Sequence, residues 1–182
     1  MRKKILIFFF VFTVTGLGLV TAGCSEDGYG QHDHAKMLEE SGQAEDQGIC
    51  PVMGGKSSKD YSYAYRGKTY YFCCPGCIDT FKQDPEKYIS RIKKFDLEAF
   101  QFGYSPDRIE VKKGDIVRIF ATSRDVPHGI YIKKYEIKTT VKKEEIEKIE
   151  FIADKAGEFP ILCSVYCGRG HRDMKATLVV NE

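Results

Sequence analysis

The sequence predicts a mainly β chain, with a β-sandwich at its C-terminal end preceded by a small α+β module. Three observations lead there. Short runs of β-branched and aromatic residues recur from residue 109 onward with turn signals between them, two aromatic-rich runs meet at Arg66-Gly67, and a stretch of helical period follows Pro75-Gly76. The 182 residues, 42% apolar and 13% aromatic, are enough to bury such cores, which excludes a disordered tail or a collagen-like repeat. Charge is balanced, 28 Lys and Arg against 26 Asp and Glu, so nothing points to nucleic acid as a partner. Without Arg2, Lys3 and Lys4 the balance becomes 25 basic against 26 acidic residues.

Residues 5–22 are apolar apart from threonines and glycines and follow that basic start, the layout of an export signal. Thr21, Ala22 and Gly23 then precede Cys24. Small residues before a cysteine resemble the lipobox of bacterial lipoproteins, although Thr21 stands where that motif prefers leucine. The resemblance implies a signal peptide over residues 1–23 and lipidation of Cys24, which would become the new N-terminus. The alternative is an uncleaved anchor, since the run is near the shortest that spans a bilayer. Both place the rest of the chain outside the cytoplasm, in the periplasm or at the cell surface, tethered to a membrane. Residues 24–48 read as a flexible acidic linker, with seven acids against Lys36 alone. Within it His32 and His34 beside Asp33 are either plain polar residues or a weak metal pair.

Residues 49–94 form the module. Residues 61–65 and 68–73 read as a β-hairpin in which Gly67 supplies the positive φ. Cys77, Phe81, Tyr88 and Ile92 can share a helical face. Asp84-Pro85 reads as an N-cap followed by proline at the first helical position, so two helical pieces are expected. The hairpin end and the first helical turn then gather Cys50, Cys73, Cys74 and Cys77, with Met53 close to Cys50. Such soft ligands suit Zn or Cu(I). The words Cys50-Pro-Val-Met-Gly-Gly, then Tyr-Tyr-Phe-Cys-Cys-Pro-Gly-Cys over residues 70–77, then Phe81 and Asp84-Pro-Glu-Lys-Tyr resemble the YHS domain, a cysteine-bearing metal-binding module related to the TRASH domain. The resemblance implies metal handling by Cys50, Cys77 and one or both of Cys73 and Cys74. Disulfides are the competing reading, which an exported chain permits.

Residues 95–182 carry the sandwich. Its expected strands are residues 109–111, 116–120, 129–132, 149–152, 159–162 and 177–180, with turns at Ser105-Pro106, Lys113-Gly114 and Ala156-Gly157. Residues 142–149 have helical propensity, which the neighbouring strands overrule. After residue 162 come Cys163, Cys167, His171 and Met174, and far upstream stands His128. Thiolate and thioether hold Cu(I) while imidazole accepts Cu(II), so this donor set suits copper that changes oxidation state. A second cysteine allows two bridging thiolates and two coppers. A Cys163–Cys167 disulfide with Met174 and His128 as ordinary core residues is the plainer alternative.

The pattern Cys-x-x-x-Cys-x-x-x-His-x-x-Met with a distant histidine resembles the CuA domain of cytochrome oxidase subunit II and nitrous oxide reductase, a cupredoxin-like Greek-key β-sandwich. The likeness extends through residues 102–106, 109–115, 123–128 and 153–157. By position it implies that Cys163 and Cys167 bridge the coppers, His128 and His171 are terminal ligands, and Met174 and the backbone carbonyl of Val165 are weak axial ones. The implied role is one-electron transfer. Oxidase subunit II usually carries glutamate where this chain has Val165, and an aromatic cluster rich in tryptophan, which is absent here. Three functions compete: an electron carrier passing electrons between a cytochrome and a membrane oxidase or reductase; a copper delivery, storage or sensing protein whose YHS part captures metal for cuproenzyme assembly; and a thiol redox protein. No catalytic residue, hydrolytic triad or phosphate loop is encoded, so turnover by the chain alone is not expected.

Overall fold

In the computed structural model the described residues are 47–182. The leader, Cys24 and the acidic stretch through residue 46, with His32 and His34, lie outside them. Among the described residues no helix is long and apolar enough to cross a membrane.

Strands β1 (Ser58–Tyr65) and β2 (Lys68–Phe72) pair antiparallel as the sequence predicts, Tyr65 opposite Lys68. Both central turn residues are left-handed, Arg66 at φ 48° and Gly67 at φ 75°, the twist that suits a two-residue hairpin. Helices α1 (Pro75–Gln83) and α2 (Pro85–Ile89) follow, divided at Asp84, whose side chain accepts from the Lys87 amide. Their core is aromatic. Phe81 is fully buried, with the rings of Tyr63, Tyr65, Tyr70, Phe72 and Tyr88 centred 5.1–6.3 Å from it.

The expectation that Ile92 extends the helical face is corrected. Ile92 opens strand β3 (Ile92–Phe100), which leaves α2 after two residues and runs parallel to β6 (Ile116–Ser123) in register from Ile92↔Ile116 to Ala99↔Ser123. The eight-residue ladder to β6 offers the chain more backbone pairing than one further turn of a five-residue helix could.

Strands β4 (Gly103–Ser105), β3, β6 and β9 (Glu147–Ile152) make one sheet of the sandwich. Strands β5 (Arg108–Lys112), β11 (Lys175–Asn181), β10 (Gly157–Leu162), β7 (His128–Ile132) and β8 (Ile137–Val141) make the other. Leu97, Val117, Ile119, Ala121 and Phe151 pack with Ile109, Ile130, Ile132, Ile161 and Leu178 in one apolar core between the sheets. All six expected runs lie inside strands, and residues 142–146 form a turn rather than a helix. Strands β3, β4 and β8 escape the sequence pattern. Strand β3 carries Lys93 and Lys94 in its first half, β4 has three residues, and β8 offers only two apolar ones.

The module is fastened to the sandwich by polar contacts. Glu150 on β9 pairs with Arg118 on β6 at 2.5 Å, their side chains only 10% and 6% exposed. Its second oxygen accepts from the Ile49 amide at 3.1 Å, one residue from Cys50. Arg91 donates twice to the Gly114 carbonyl at 2.8 and 3.1 Å, and its own carbonyl accepts from the Ile116 amide. Removing one partner of a buried ion pair costs several kcal/mol. Glu150→Ala is therefore expected to lower unfolding stability by about 3 kcal/mol, read as a shift in denaturant midpoint, whereas Glu150→Gln keeps the Ile49 contact and loses less.

Candidate metal centres

Among the described residues, two groups of thiols stand apart in the fold. The first lies in the loop between β10 and β11. Strand β10 ends at Leu162, opposite Tyr131 of β7, so Cys163 emerges beside His128 at the start of β7. The loop closes where the Cys163 amide meets the Met174 carbonyl at 3.4 Å, and a one-turn 3-10 helix, His171–Asp173, orients His171.

Within it, the Cys163 and Cys167 sulfurs are 3.9 Å apart. The Cys163 sulfur is 4.0 Å from His128 Nδ1 and 3.1 Å from the Val165 carbonyl oxygen. The Cys167 sulfur is 3.8 Å from both His171 Nδ1 and Met174 Sδ. All six residues expected to act together are therefore gathered around two sulfurs. The sulfurs lie well beyond the disulfide bond length of about 2.05 Å, and both thiols are free. His128 and Met174 are buried, and the two cysteines nearly so.

Four neighbours that the sequence did not single out shape this group. Asp125 Oδ1 lies 2.7 Å from His128 Nε2, and Nδ1 on the other side of the ring faces Cys163, so the carboxylate holds the ring with Nδ1 toward the thiol. Burial opposes ionisation of Asp125. The Gln101 amide, the His128 ring and the Val126 amide outweigh it and hold the carboxyl pKa down at about 2. Gln101 also donates through its side chain to the Cys167 carbonyl, and Tyr104 donates to the Gly129 carbonyl at 2.5 Å. The Gly129 amide donates to the Cys163 sulfur at 3.3 Å. Only the position of Asp125, three residues before His128 in a tight turn, was visible as a signal in the sequence. On the solvent side, Tyr166 is 76% exposed and its ring is centred 5.9 Å from that of His171.

The second group lies in the module. The sulfurs of Cys50, Cys73 and Cys77 lie within 4.8 Å of one another. Cys73 and Cys77 are 3.5 Å apart, close to the roughly 3.8 Å separation that two thiolates adopt on a tetrahedral ion with bonds of about 2.3 Å. Cys74 sits outside this triad, its sulfur 3.3 Å from that of Cys77. Met53 approaches Cys50 through its backbone amide while its side chain is 72% exposed. Burial resists ionisation of Cys50. The amides of Met53, Cys73 and Val52 and the Cys73 thiol overcome it and lower the pKa. Burial pushes the Cys73 and Cys77 thiols up, whereas the Cys77 thiol and the first-turn amides lower that of Cys74.

The cupredoxin-like domain family matches over residues 80–180, more than half of the chain. This chain belongs to the cupredoxin-like family. The YHS domain matches over residues 50–92, so the protein is a YHS domain followed by a cupredoxin domain. The cupredoxin domain is homologous to the CuA domains of cytochrome c oxidase subunit 2 and nitrous-oxide reductase. It is 39% identical over 84 residues to cytochrome c oxidase subunit 2 of Thermus thermophilus, covering 46% of this chain and 62% of that one. Nitrous-oxide reductase of Ralstonia nicotianae is 36% identical over 81 residues, covering 42% and 12%. The chain thus spans under two thirds of the curated relatives' length. The crystal structure of the periplasmic domain of subunit II of cytochrome oxidase of Bradyrhizobium japonicum aligns at TM-score 0.46 and 18% identity, covering 50% of this chain and 84% of that one.

Burial first, then the neighbouring Cys163 thiol, raise the Cys167 pKa to about 11, so a metal must displace its proton at neutral pH. Copper affinity of the cupredoxin domain should therefore rise with pH toward that value, by about tenfold per unit for this one proton, in competition titrations against a chelator. A methyl group at Gly129 would stand 2.4 Å from the Ser164 amide nitrogen and 2.8 Å from that of Val165. Gly129→Ala should displace the ligand loop and cost about 2 kcal/mol, measurable by thermal unfolding of the metal-free protein.

Proposed function

We propose that this protein is an extracytoplasmic, membrane-tethered copper protein whose cupredoxin domain holds a binuclear CuA-type centre and passes single electrons to or from a membrane oxidase or reductase. The observation that carries the reading is the donor set. Two thiols 3.9 Å apart are each flanked by one imidazole nitrogen and one weak donor, the Val165 carbonyl or the Met174 thioether. Shared sulfurs, one imidazole and one weak donor complete four-coordination at two metals, whereas a single ion would leave donors unused.

Bound copper supplies the one-electron chemistry. The protein's part is to hold the ligands still and dry. Asp125 fixes the His128 ring, Tyr104 and Gly129 brace the Cys163 side, and Gln101 secures the Cys167 carbonyl. Rigid ligands limit reorganisation between oxidation states. Tyr166 beside His171 gives the domain an exposed aromatic edge for a redox partner such as a cytochrome. Tethering rests on the basic start, the apolar run and Cys24 in the sequence. The likeness to oxidase subunit 2 supports a place beside a terminal oxidase, and Val165 in place of the family's glutamate argues for a different docking contact.

A second reading is favoured by the YHS triad, a soft-metal site on the same chain, which suits copper capture for cuproenzyme assembly. The Cys50 loop is fastened at Glu150, opposite Arg118 of β6, while the CuA-type ligands lie beyond Ser123. Five residues of strand, roughly 17 Å, separate those levels. That span is too long for direct ligand exchange between fixed groups, so this reading places delivery at a separate acceptor.

Copper counting combined with electron paramagnetic resonance on the full chain tests the first reading. The expected result is two coupled coppers sharing one unpaired electron. Cys167→Ser should abolish the coupling and leave at most one copper in the cupredoxin domain, while Met174→Leu should keep two with an altered potential. Coupled coppers surviving in the Cys167 variant would overturn the bridging assignment.

A further inference from the structure

Cys74 is the one module cysteine that the triad does not use. It is the N-cap of α1, with Pro75 next, and Cys77 closes the first turn, its amide meeting the Cys74 carbonyl at 3.2 Å. Cys74 is partly exposed and Cys77 is buried. Their sulfurs are 3.3 Å apart, closer than the 3.5 Å of Cys73 and Cys77 and the 3.9 Å of Cys163 and Cys167, and a rotamer change of little more than an ångström closes the gap to a bond of about 2.05 Å. The two-residue spacing across a helix start is the arrangement in which one thiol can be attacked from solvent and the other can resolve the product.

We propose that Cys74 and Cys77 form a dithiol–disulfide pair that gates the Cys50, Cys73, Cys77 metal triad. The inference rests on reading that triad as a metal site. The oxidant is a disulfide, of a partner protein or a small molecule, arriving from solvent. The Cys74 thiolate attacks one sulfur of that disulfide, forming a mixed disulfide and releasing the first partner thiolate. The Cys77 thiolate then attacks the Cys74 sulfur, forming Cys74–Cys77 and releasing the second. Two electrons pass from the cysteines to the incoming disulfide, and the two cysteine protons go to the departing thiolates. Closing the bond takes Cys77 from the triad, and two thiols hold a soft ion less well than three. Reduction restores the third ligand. The pair thus couples metal release to the redox poise outside the triad, and Cys74 serves as the trigger without being a ligand.

The test uses the full chain carrying Cys163→Ser and Cys167→Ser, with oxidised and reduced glutathione as the redox probe and Cu(I) as the metal probe. Peptide mass mapping of the oxidised wild-type chain should show a loss of about 2 Da located at Cys74–Cys77. In the double variant, oxidation should weaken Cu(I) binding by about tenfold or more against a chromophoric chelator, and reduction should restore it. Adding Cys74→Ser should leave Cu(I) affinity of the reduced protein unchanged and abolish its loss on oxidation. A mapped bond from Cys77 to Cys73 or Cys50 would overturn the proposal, as would full Cu(I) affinity in the oxidised protein or weakened affinity in reduced Cys74→Ser. A reduced double variant that binds no Cu(I) would overturn the triad itself and the gating with it, and the mass map separates that failure from a failure of the disulfide.

Discussion

The proposed copper ligands depend on one constraint, the pairing of β10 with β7 on one side and β11 on the other. The first partner supplies His128 and the second receives the loop at Met174, so both ends of the ligand loop and the distant histidine are pinned by backbone hydrogen bonds of one sheet. Hydrogen bonding of this kind is indifferent to side chains, which frees the loop sequence to be chosen for its donors. The price is closeness. The Ser164 and Val165 amides occupy the place a β-carbon at Gly129 would take, and glycine is what the position can hold.

Much of this was legible beforehand, for reasons that differ by level. The hairpin, the split helix and six of the strands announce themselves through turn residues and alternating apolar positions, which local physics reads directly. Cys163, Cys167, His171 and Met174 are legible because one short loop carries them. His128 could be joined to them only through the likeness of the whole pattern, since nothing local says that β7 borders β10. Gln101 and Tyr104 stayed hidden for the same reason. Their roles are contacts across 66 and 25 positions of chain, which no composition or period encodes, whereas Asp125 stands only three positions from His128. Strand β3 was misread at its first residue because a lysine-rich, partly exposed strand looks like the tail of a helix until its partner is known.

Glu150 shows how a charged side chain in a strand can belong to two structures at once. Alternation alone makes it an outward-facing residue of β9. In the fold it is nearly covered, sharing one oxygen with Arg118 and the other with the chain beside Cys50. A carboxylate with two oxygens and strict geometry fixes a register where an apolar patch would tolerate sliding. The thiols of the YHS domain thus owe part of their placement to a residue of the other domain.

Strand β3 has a mechanical corollary. It follows α2 after only two residues and is locked along β6 from Ile92 to Ala99, so the two thiol-bearing ends are joined by a strut rather than a leash. A partner that grips the exposed aromatic edge at Tyr166 also fixes, in distance and in direction, where the YHS thiols point. In any assembly this protein enters, the chain acts as a ruler, and the spacing between what docks at one end and what docks at the other is written into the length of a β-strand.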